Sequence, residues 1–210
     1  MIKPSQKKSN LNTASLFIYL LIVCLVVLQM IIVISNGYYG LFHFIGRLSG
    51  LIGMTFLFTA ILLSSFVRQS KKIFGIVYLK IHHFFSFWGL IFITLHPISL
   101  AISFSTLQIF IPDFSSWNAF LVNGGRPALY LIYFAVAAAF YKKYLRQSWR
   151  YFHALIYPAF LLGFVHGYWS GTDLANRILY WLYLAMLILV LLNFLNKRYQ
   201  LFQRNKKVNP

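Results

Sequence analysis

The feature that most restricts how this chain folds is a series of long apolar runs separated by short basic clusters. Six runs can be marked, and they cover Ala14–Ser35, Leu48–Val67, Ile73–Phe104, Pro127–Tyr141, Tyr151–Trp169 and Ile178–Leu195. Most of them approach or exceed the roughly 20 residues that a helix needs to cross the hydrocarbon core of a bilayer. The sequence therefore predicts an all-α integral membrane bundle of six transmembrane helices.

Two of these runs need comment. The fourth run is short for a span, and we expect it to borrow residues at its ends or to lie where the bilayer is thinner. The first run follows three lysines, as the apolar part of a secretory signal does. It is too long for that part of a signal and is followed by no small-x-small cleavage site, so we interpret it as an uncleaved helix.

Basic residues are divided unevenly between the two sides of such a bundle. The sequence has 19 Lys and Arg against two acidic residues. With six spans, 16 of the 19 fall on the side that carries both termini. The other side keeps Arg47, Arg126 and Arg177, together with Asp113 and Asp173. The positive-inside rule then predicts cytoplasmic termini and a multi-pass protein of the plasma membrane, which is the inner membrane of a Gram-negative cell.

The same pattern defines the domain organisation and excludes some classes of function. We interpret residues 1–13 as a cytoplasmic tail, 14–195 as one membrane domain and 196–210 as a basic cytoplasmic tail. Basic clusters at helix ends are orientation signals, so we expect a lipid bilayer and no nucleic acid as partner. The single cysteine, Cys24, allows neither a disulfide within the chain nor a cysteine-based metal site.

Four of the six histidines pair by spacing on two of the predicted spans. His82 and His96 lie on the third span, and His153 and His166 lie on the fifth. Both spans run from the inside outward. We therefore expect His82 and His153 near the inner face and His96 and His166 in the outer half, which gives two imidazoles at each of two levels.

Helix geometry tests this spacing. At about 100° per residue, the step from His82 to His96 ends about 40° short of whole turns, so both rings leave one face, whereas His83 points about 140° away. The step of 13 from His153 to His166 misaligns the two rings on an ideal helix. Pro158 lies between them, and we hypothesise that it supplies a kink or a π-type distortion that corrects the alignment.

Two facing histidines at each level suit the axial ligation of haem iron, which takes neutral imidazoles from neighbouring helices. With both axial positions filled, such a haem transfers electrons and leaves no open position at the iron. A zinc or copper ion is an alternative, although two ligands are too few for a closed zinc site. A proton relay is another, although such relays usually include intramembrane carboxylates.

The motifs "HHFFSFWGLIFITLH" on the third span and "SWRYFHALIYPAFLLGFVH" on the fifth resemble the ferric reductase-like transmembrane domain. Within that family, "FHFIGRLSG" and the chain length are most similar to the haem-binding membrane subunit of the periplasmic methionine sulfoxide reductase system. This resemblance implies one or two haem b groups. His82 and His153 would bind the inner haem, and His96 and His166 the outer one. Subfamily members often lack the inner histidine on the third span, whereas this chain has both His82 and His83.

Haem propionates prefer basic partners. Candidate propionate partners are Lys80 and Arg150 on the inner side and Arg47 or Arg126 on the outer side. For Lys80 and Arg150, the alternative explanation is that they serve as an orientation signal. His43, one turn before Arg47, is interpreted as an interfacial polar residue, with a spare ligand or an acceptor-side residue as alternatives.

The sequence has no dinucleotide-binding or phosphate-binding glycine motif. We therefore expect electrons from a separate cytoplasmic flavoprotein or from quinol, with any flavin supplied by that partner or bound at the inner face. The acceptor would lie at the outer face, and a partner reductase is a candidate. The predicted function is the electron-transfer subunit of an oxidoreductase. The alternatives are a direct ferric reductase and a haem-free transporter or assembly protein.

Overall fold

The computed structural model describes residues 13–65, 67–74 and 78–208. Within these ranges the regular structure is entirely helical and contains no strand, as the apolar runs predict. A helix satisfies every backbone hydrogen bond within its own segment, which is what a chain in lipid requires.

The α-helices are numbered in chain order as follows: α1 Thr13–Ser35, α2 Leu41–Ser65, α3 Val67–Phe74, α4 Tyr78–Phe104, α5 Trp117–Val122, α6 Gly125–Phe140, α7 Lys142–Leu145, α8 Trp149–His153, α9 Ile156–Ser170 and α10 Arg177–Val208. Short 3₁₀ turns lie at Gln108–Phe110 and Asp173–Ala175.

Among the residues that the structure describes, four helices are long and apolar enough to cross a membrane, judged by length and composition. These candidate spans are Leu16–Ser35, Leu41–Ser64, Leu79–Phe104 and Arg177–Gln203. Large apolar side chains such as Phe17, Phe87 and Trp181 are 60–67% exposed on their outer faces, which suits contact with lipid tails. The protein is therefore a membrane-embedded, multi-pass helical protein.

The fourth and fifth predicted spans are helical but shorter than the long four. The fourth corresponds to α6, which has 16 residues. The fifth corresponds to α8 and α9, which are separated by a break. The count of six crossings therefore stays a prediction.

The largest differences from the predicted runs concern α2, α10 and the segment that contains α3 and α4. Helix α2 begins at Leu41, seven residues before the predicted start, and α10 continues as helix through the basic segment to Val208. In the predicted third run, α3 ends at Phe74 and α4 begins at Tyr78, and residues 75–77 between them lie outside the described residues. Residues 1–12 of the predicted N-terminal tail lie outside the described residues.

Helices α2 and α4 pack closely because glycines line their contact. A Cβ atom at Gly46, Gly50 or Gly53 would lie only 2.7–2.8 Å from a side-chain atom of α4, closer than real Cβ atoms approach other atoms. Small residues three or four positions apart let two membrane helices approach in this way. The contact brings one face of α4 against the backbone of α2.

A buried polar network joins α1, α2 and α10. The amide nitrogen of Gln29 lies 2.6 Å from the Thr55 hydroxyl and 3.1 Å from the Tyr183 hydroxyl. Tyr183 in turn donates to the carbonyl oxygen of Leu51 at 2.7 Å. Hydrogen bonds of this kind fix the relative positions of helices whose other contacts are apolar.

Candidate functional site

The four paired histidines share one hydrogen-bonding arrangement. In each, Nδ1 lies 2.7–2.9 Å from a main-chain carbonyl oxygen of a neighbouring helix. A carbonyl oxygen only accepts, so each ring carries its proton on Nδ1 and leaves the lone pair on Nε2. Metal-binding histidines are commonly oriented by such a bond. The pairs are His82 with Ala60, His96 with Gly46, His153 with Ala135 and His166 with Val122.

On α4, the structure places His82 and His96 on one face, because both rings bond to carbonyls of α2. His83 is exposed, in keeping with its different angular position. The chain geometry thus directs His82, and not His83, into the interior.

On the fifth predicted span, the helix is interrupted between the two histidines. Helix α8 ends at His153 and α9 begins at Ile156, with Pro158 as its third residue. Proline has no N–H to donate, and its ring crowds the carbonyl four residues earlier, which belongs to Ala154 at the break. The interruption is a turn rather than a π-type distortion. Because of the break, the direction of the His153 ring does not depend on the helical register of His166. Each ring therefore reaches a carbonyl of an earlier helix, α6 for His153 and α5 for His166.

The outer pair is brought together directly. The ring centroids of His96 and His166 lie 6.3 Å apart, with an angle of 68° between the ring planes. One metal ion shared by two imidazoles lies about 2 Å from each nitrogen, and each nitrogen lies about 1 Å from its ring centre, so the expected separation is about 6 Å. The observed distance therefore fits a single metal ion between the two rings.

Glycines make room for both rings of the outer pair. A Cβ atom at Gly50 would lie 2.8 Å from Nδ1 of His96. A Cβ atom at Gly125 would lie 2.6 Å from Cδ2 and 2.9 Å from Nε2 of His166, on the edge that carries the free lone pair. The space beside that lone pair therefore depends on a residue without a side chain.

The residues present fit a haem. The outer level supplies two imidazoles with matching tautomers and a suitable separation, and a haem iron takes its four other ligands from the macrocycle. Among the described residues, no group of three or more His, Cys, Asp or Glu side chains is placed to hold a metal ion.

The inner level repeats the hydrogen bonds, and other side chains lie next to both of its rings. The Ser86 hydroxyl lies 3.5 Å from Nε2 of His82, and the Trp149 ring lies 5.6 Å from that of His153 between centroids. A ligand at this level would replace the contact between Ser86 and His82. The outer pair is thus the better-defined half of the site.

Arg47 has partners that the sequence did not reveal. Its Nε donates to Asp173 Oδ2 at 2.9 Å, Nη2 pairs with Asp173 Oδ1, and Nη1 donates to the Gly37 carbonyl at 2.8 Å. Asn36 donates to the same carboxylate at 3.1 Å. Arg47 and Asp173 are 8% and 4% exposed. The role of Arg47 as a propionate partner stays a prediction, but the structure gives its guanidinium a carboxylate within the chain.

The other predicted basic residues differ in accessibility. Arg150 on α8 and Lys80 on α4 are exposed, whereas Arg126 donates to the Ile111 carbonyl at 2.8 Å. Nδ1 of His43 is buried without a hydrogen-bond partner among the described residues, and its ring packs edge-on against Phe104. The roles predicted for these residues stay predictions.

Sequence reasoning missed the parts of the site that are not histidines. The carbonyl acceptors are main-chain atoms and carry no residue signature. The glycines do carry one, because Gly46, Gly50 and Gly53 repeat at helical spacing in the sequence itself. Gly124 and Gly125 are typical turn formers, and the structure adds the contact of Gly125 with His166.

Comparison with known proteins adds nothing to the geometry: no family model, no curated protein and no solved structure matches this sequence. The family resemblance therefore rests on the quoted motifs alone.

Proposed function

We propose that the chain is a six-span membrane cytochrome b of the plasma membrane, with both termini in the cytoplasm, that passes electrons from an inner donor to an outer acceptor. The observation that carries the proposal is the shared arrangement of four imidazoles, each with its proton held on Nδ1 by a carbonyl. The 6.3 Å separation of the outer rings supports it independently.

His96 and His166 would hold the outer haem, and His82 and His153 the inner one. When bound, each haem would supply reversible one-electron exchange. The chain holds the imidazole protons on Nδ1, leaves the Nε2 lone pairs free and partly buries the rings. Since the levels are 13 or 14 residues apart, about 20 Å along a helix, two groups would connect the membrane halves.

The donor is a cytoplasmic flavoprotein or quinol, and any flavin belongs to that partner or lies at the inner face. Support comes from the exposed basic residues Lys142, Lys143, Arg146 and Arg150 on the inner side, which attract anionic groups. The acceptor on the outer side is a partner reductase. Direct reduction of ferric ion is less well supported, because Asp173 is engaged by Arg47 and only Asp113 is left as an acidic ligand for a hard cation.

The test is an optical spectrum of the purified protein with haem quantified per chain. We expect a b-type spectrum on reduction with dithionite and two haems per chain. One haem per chain would restrict the proposal to a single histidine level. Variants that each lack one histidine would then show which level holds the haem. A protein without haem, after expression with ample haem supply, would contradict the cytochrome and favour the haem-free transporter or assembly protein.

Replacing Gly125 by alanine is expected to weaken retention of the outer haem by about tenfold or more, the usual effect of disturbing a group that orients a metal ligand. The added methyl group would lie 2.6 Å from the His166 ring and force it to move. The measurement is haem per chain after dilution into haem-free detergent.

The matched control is Gly167→Ala, next to His166 in sequence. There a Cβ atom would meet Leu174 at 3.5 Å, which is ordinary van der Waals contact. Equal haem retention in the two alanine variants would show that the space beside His166 is not needed for the cofactor.

A further inference from the structure

Lys197 on α10 is a half-buried cation next to the inner level. Its Nζ lies 3.4 Å from the Ser64 hydroxyl oxygen of α2. Ser64 donates its own proton to the Ile61 carbonyl at 2.8 Å, so its oxygen accepts from Lys197. An ammonium has three N–H donors, and one bond of this length leaves most of its capacity unused.

The chain offers Lys197 no acidic side chain. The sequence has two acidic residues, and both are engaged elsewhere: Asp173 by Arg47, and Asp113 by Ser115. Arg177, close to Asp173 in sequence, begins α10 about 30 Å of helix away from Lys197. A cation partly withdrawn from water without a counter-charge is unfavourable, so this position calls for an external anion.

The ammonium and the inner histidine contact the same part of α2. His82 bonds to the carbonyl of Ala60, and Ser64 lies one turn further along the same face, a rise of about 6 Å. Lys80 and Arg150, the predicted inner partners, are both exposed to solvent. Lys197 is therefore the basic side chain best placed to meet an anionic group of a molecule bound at His82.

We propose that Lys197, positioned by Ser64, binds a carboxylate of the haem held by His82 and His153. This inference rests on the proposed function and names a part of that site which the sequence did not reveal. The ammonium supplies a charge-assisted hydrogen bond, and the serine hydroxyl holds the ammonium in position. The phosphate of a lipid headgroup has similar chemistry, so the experiment separates the two sources.

The test compares Lys197→Met with Arg198→Met in the full-length protein, reconstituted in nanodiscs of zwitterionic lipid. Both changes remove one positive charge. Arg198 is exposed, with its guanidinium 5.1 Å from the Phe194 ring centre, and serves as the control. We expect Lys197→Met to release inner haem roughly tenfold more readily and to make its midpoint potential more negative, because a cation favours the reduced haem. Lys197→Arg should restore both properties.

A second arm uses the His82→Ala background, in which the inner haem is expected to be absent. In that background, Lys197→Met should leave the retention and the midpoint potential of the remaining haem unchanged. A general loss of structure would alter both. If wild type carries two haems and Lys197→Met matches Arg198→Met in potential and retention, the inference is wrong and the proposed function stands. If wild type carries no haem, both fail.

The lipid source is tested in nanodiscs that contain phosphatidylglycerol. Binding of a headgroup phosphate would give wild type, but not Lys197→Met, a higher melting temperature in this lipid. If wild type shows this gain in melting temperature but has the same midpoint potential as Lys197→Met, the assignment to a haem carboxylate is overturned. If the midpoint potentials of wild type and Lys197→Met differ by the same amount in both lipids, the assignment is supported.

Discussion

Replacing His96 by leucine is expected to remove one haem completely, while the inner haem is retained. His96 faces His166 across 6.3 Å and keeps its lone pair free through the hydrogen bond to Gly46. Without this imidazole, only His166 would be left at this level to hold a haem. Leucine is well tolerated in a membrane helix, so loss of haem would not reflect loss of the span. The measurement is haem per chain, together with the reduced spectrum of the remaining haem.

His83→Leu is the matched control for this experiment. It makes the same chemical change on the same helix, but the His83 side chain is exposed. We expect both haems to remain. If His83→Leu loses a haem and His82→Leu does not, the inner ligand on α4 has been misidentified. If His96→Leu keeps both haems, the outer pair does not bind iron.

The orientation of the α4 histidines could be predicted because it depends on local geometry alone. A helix repeats at about 100° per residue, so the spacing of His82 and His96 fixes their common face once the segment is helical. The same rule predicts misalignment of His153 and His166, and Pro158 is the signal that the ideal helix fails there. The structure supplies the form of the break at residues 154–155, which depends on packing against α6.

The start of α2 could not be predicted, because it depends on a residue far away in sequence. A charged arginine ordinarily marks the end of an apolar span, so the predicted run starts after Arg47. In the structure the helix begins at Leu41 and carries Arg47 within its second turn. Asp173, 126 positions later, neutralises the guanidinium. Nothing in local composition identifies which of two acidic residues pairs with which of three outer arginines.

The acceptors of the imidazole protons escaped prediction for a related reason. They are carbonyls of Gly46, Ala60, Val122 and Ala135, and the main chain offers the same atom at every residue. Which carbonyl faces a given ring depends on how closely two helices approach. On α2 that approach is set by glycines, and their spacing is the one visible trace of this half of the site in the sequence.

Asp173→Ala is expected to destabilise the protein by roughly 3–5 kcal/mol, since it leaves the Arg47 guanidinium buried without its counter-charge. For a domain of this size the melting temperature would fall by on the order of 10 °C. The pair also joins three parts of the chain, because Arg47 donates to the Gly37 carbonyl after α1 and Asp173 lies in the turn before α10. Thermal unfolding in one detergent measures the effect.

Asp113→Ala is the control, because it removes the other acidic residue of the sequence from an exposed loop. The side chain and backbone of Ser115 donate to Asp113 and hold the pKa of its carboxyl below the usual value, without any buried partner that would be left uncompensated. Its melting temperature should match that of wild type.

A double-variant experiment tests the pair itself. When Arg47→Leu and Asp173→Leu are combined, no charge is left buried. The double variant should therefore lose less stability than the sum of the losses measured for the two single leucine variants. A double variant as unstable as that sum would mean that the two side chains stabilise the protein independently, and the buried ion pair would then not be the source of the effect.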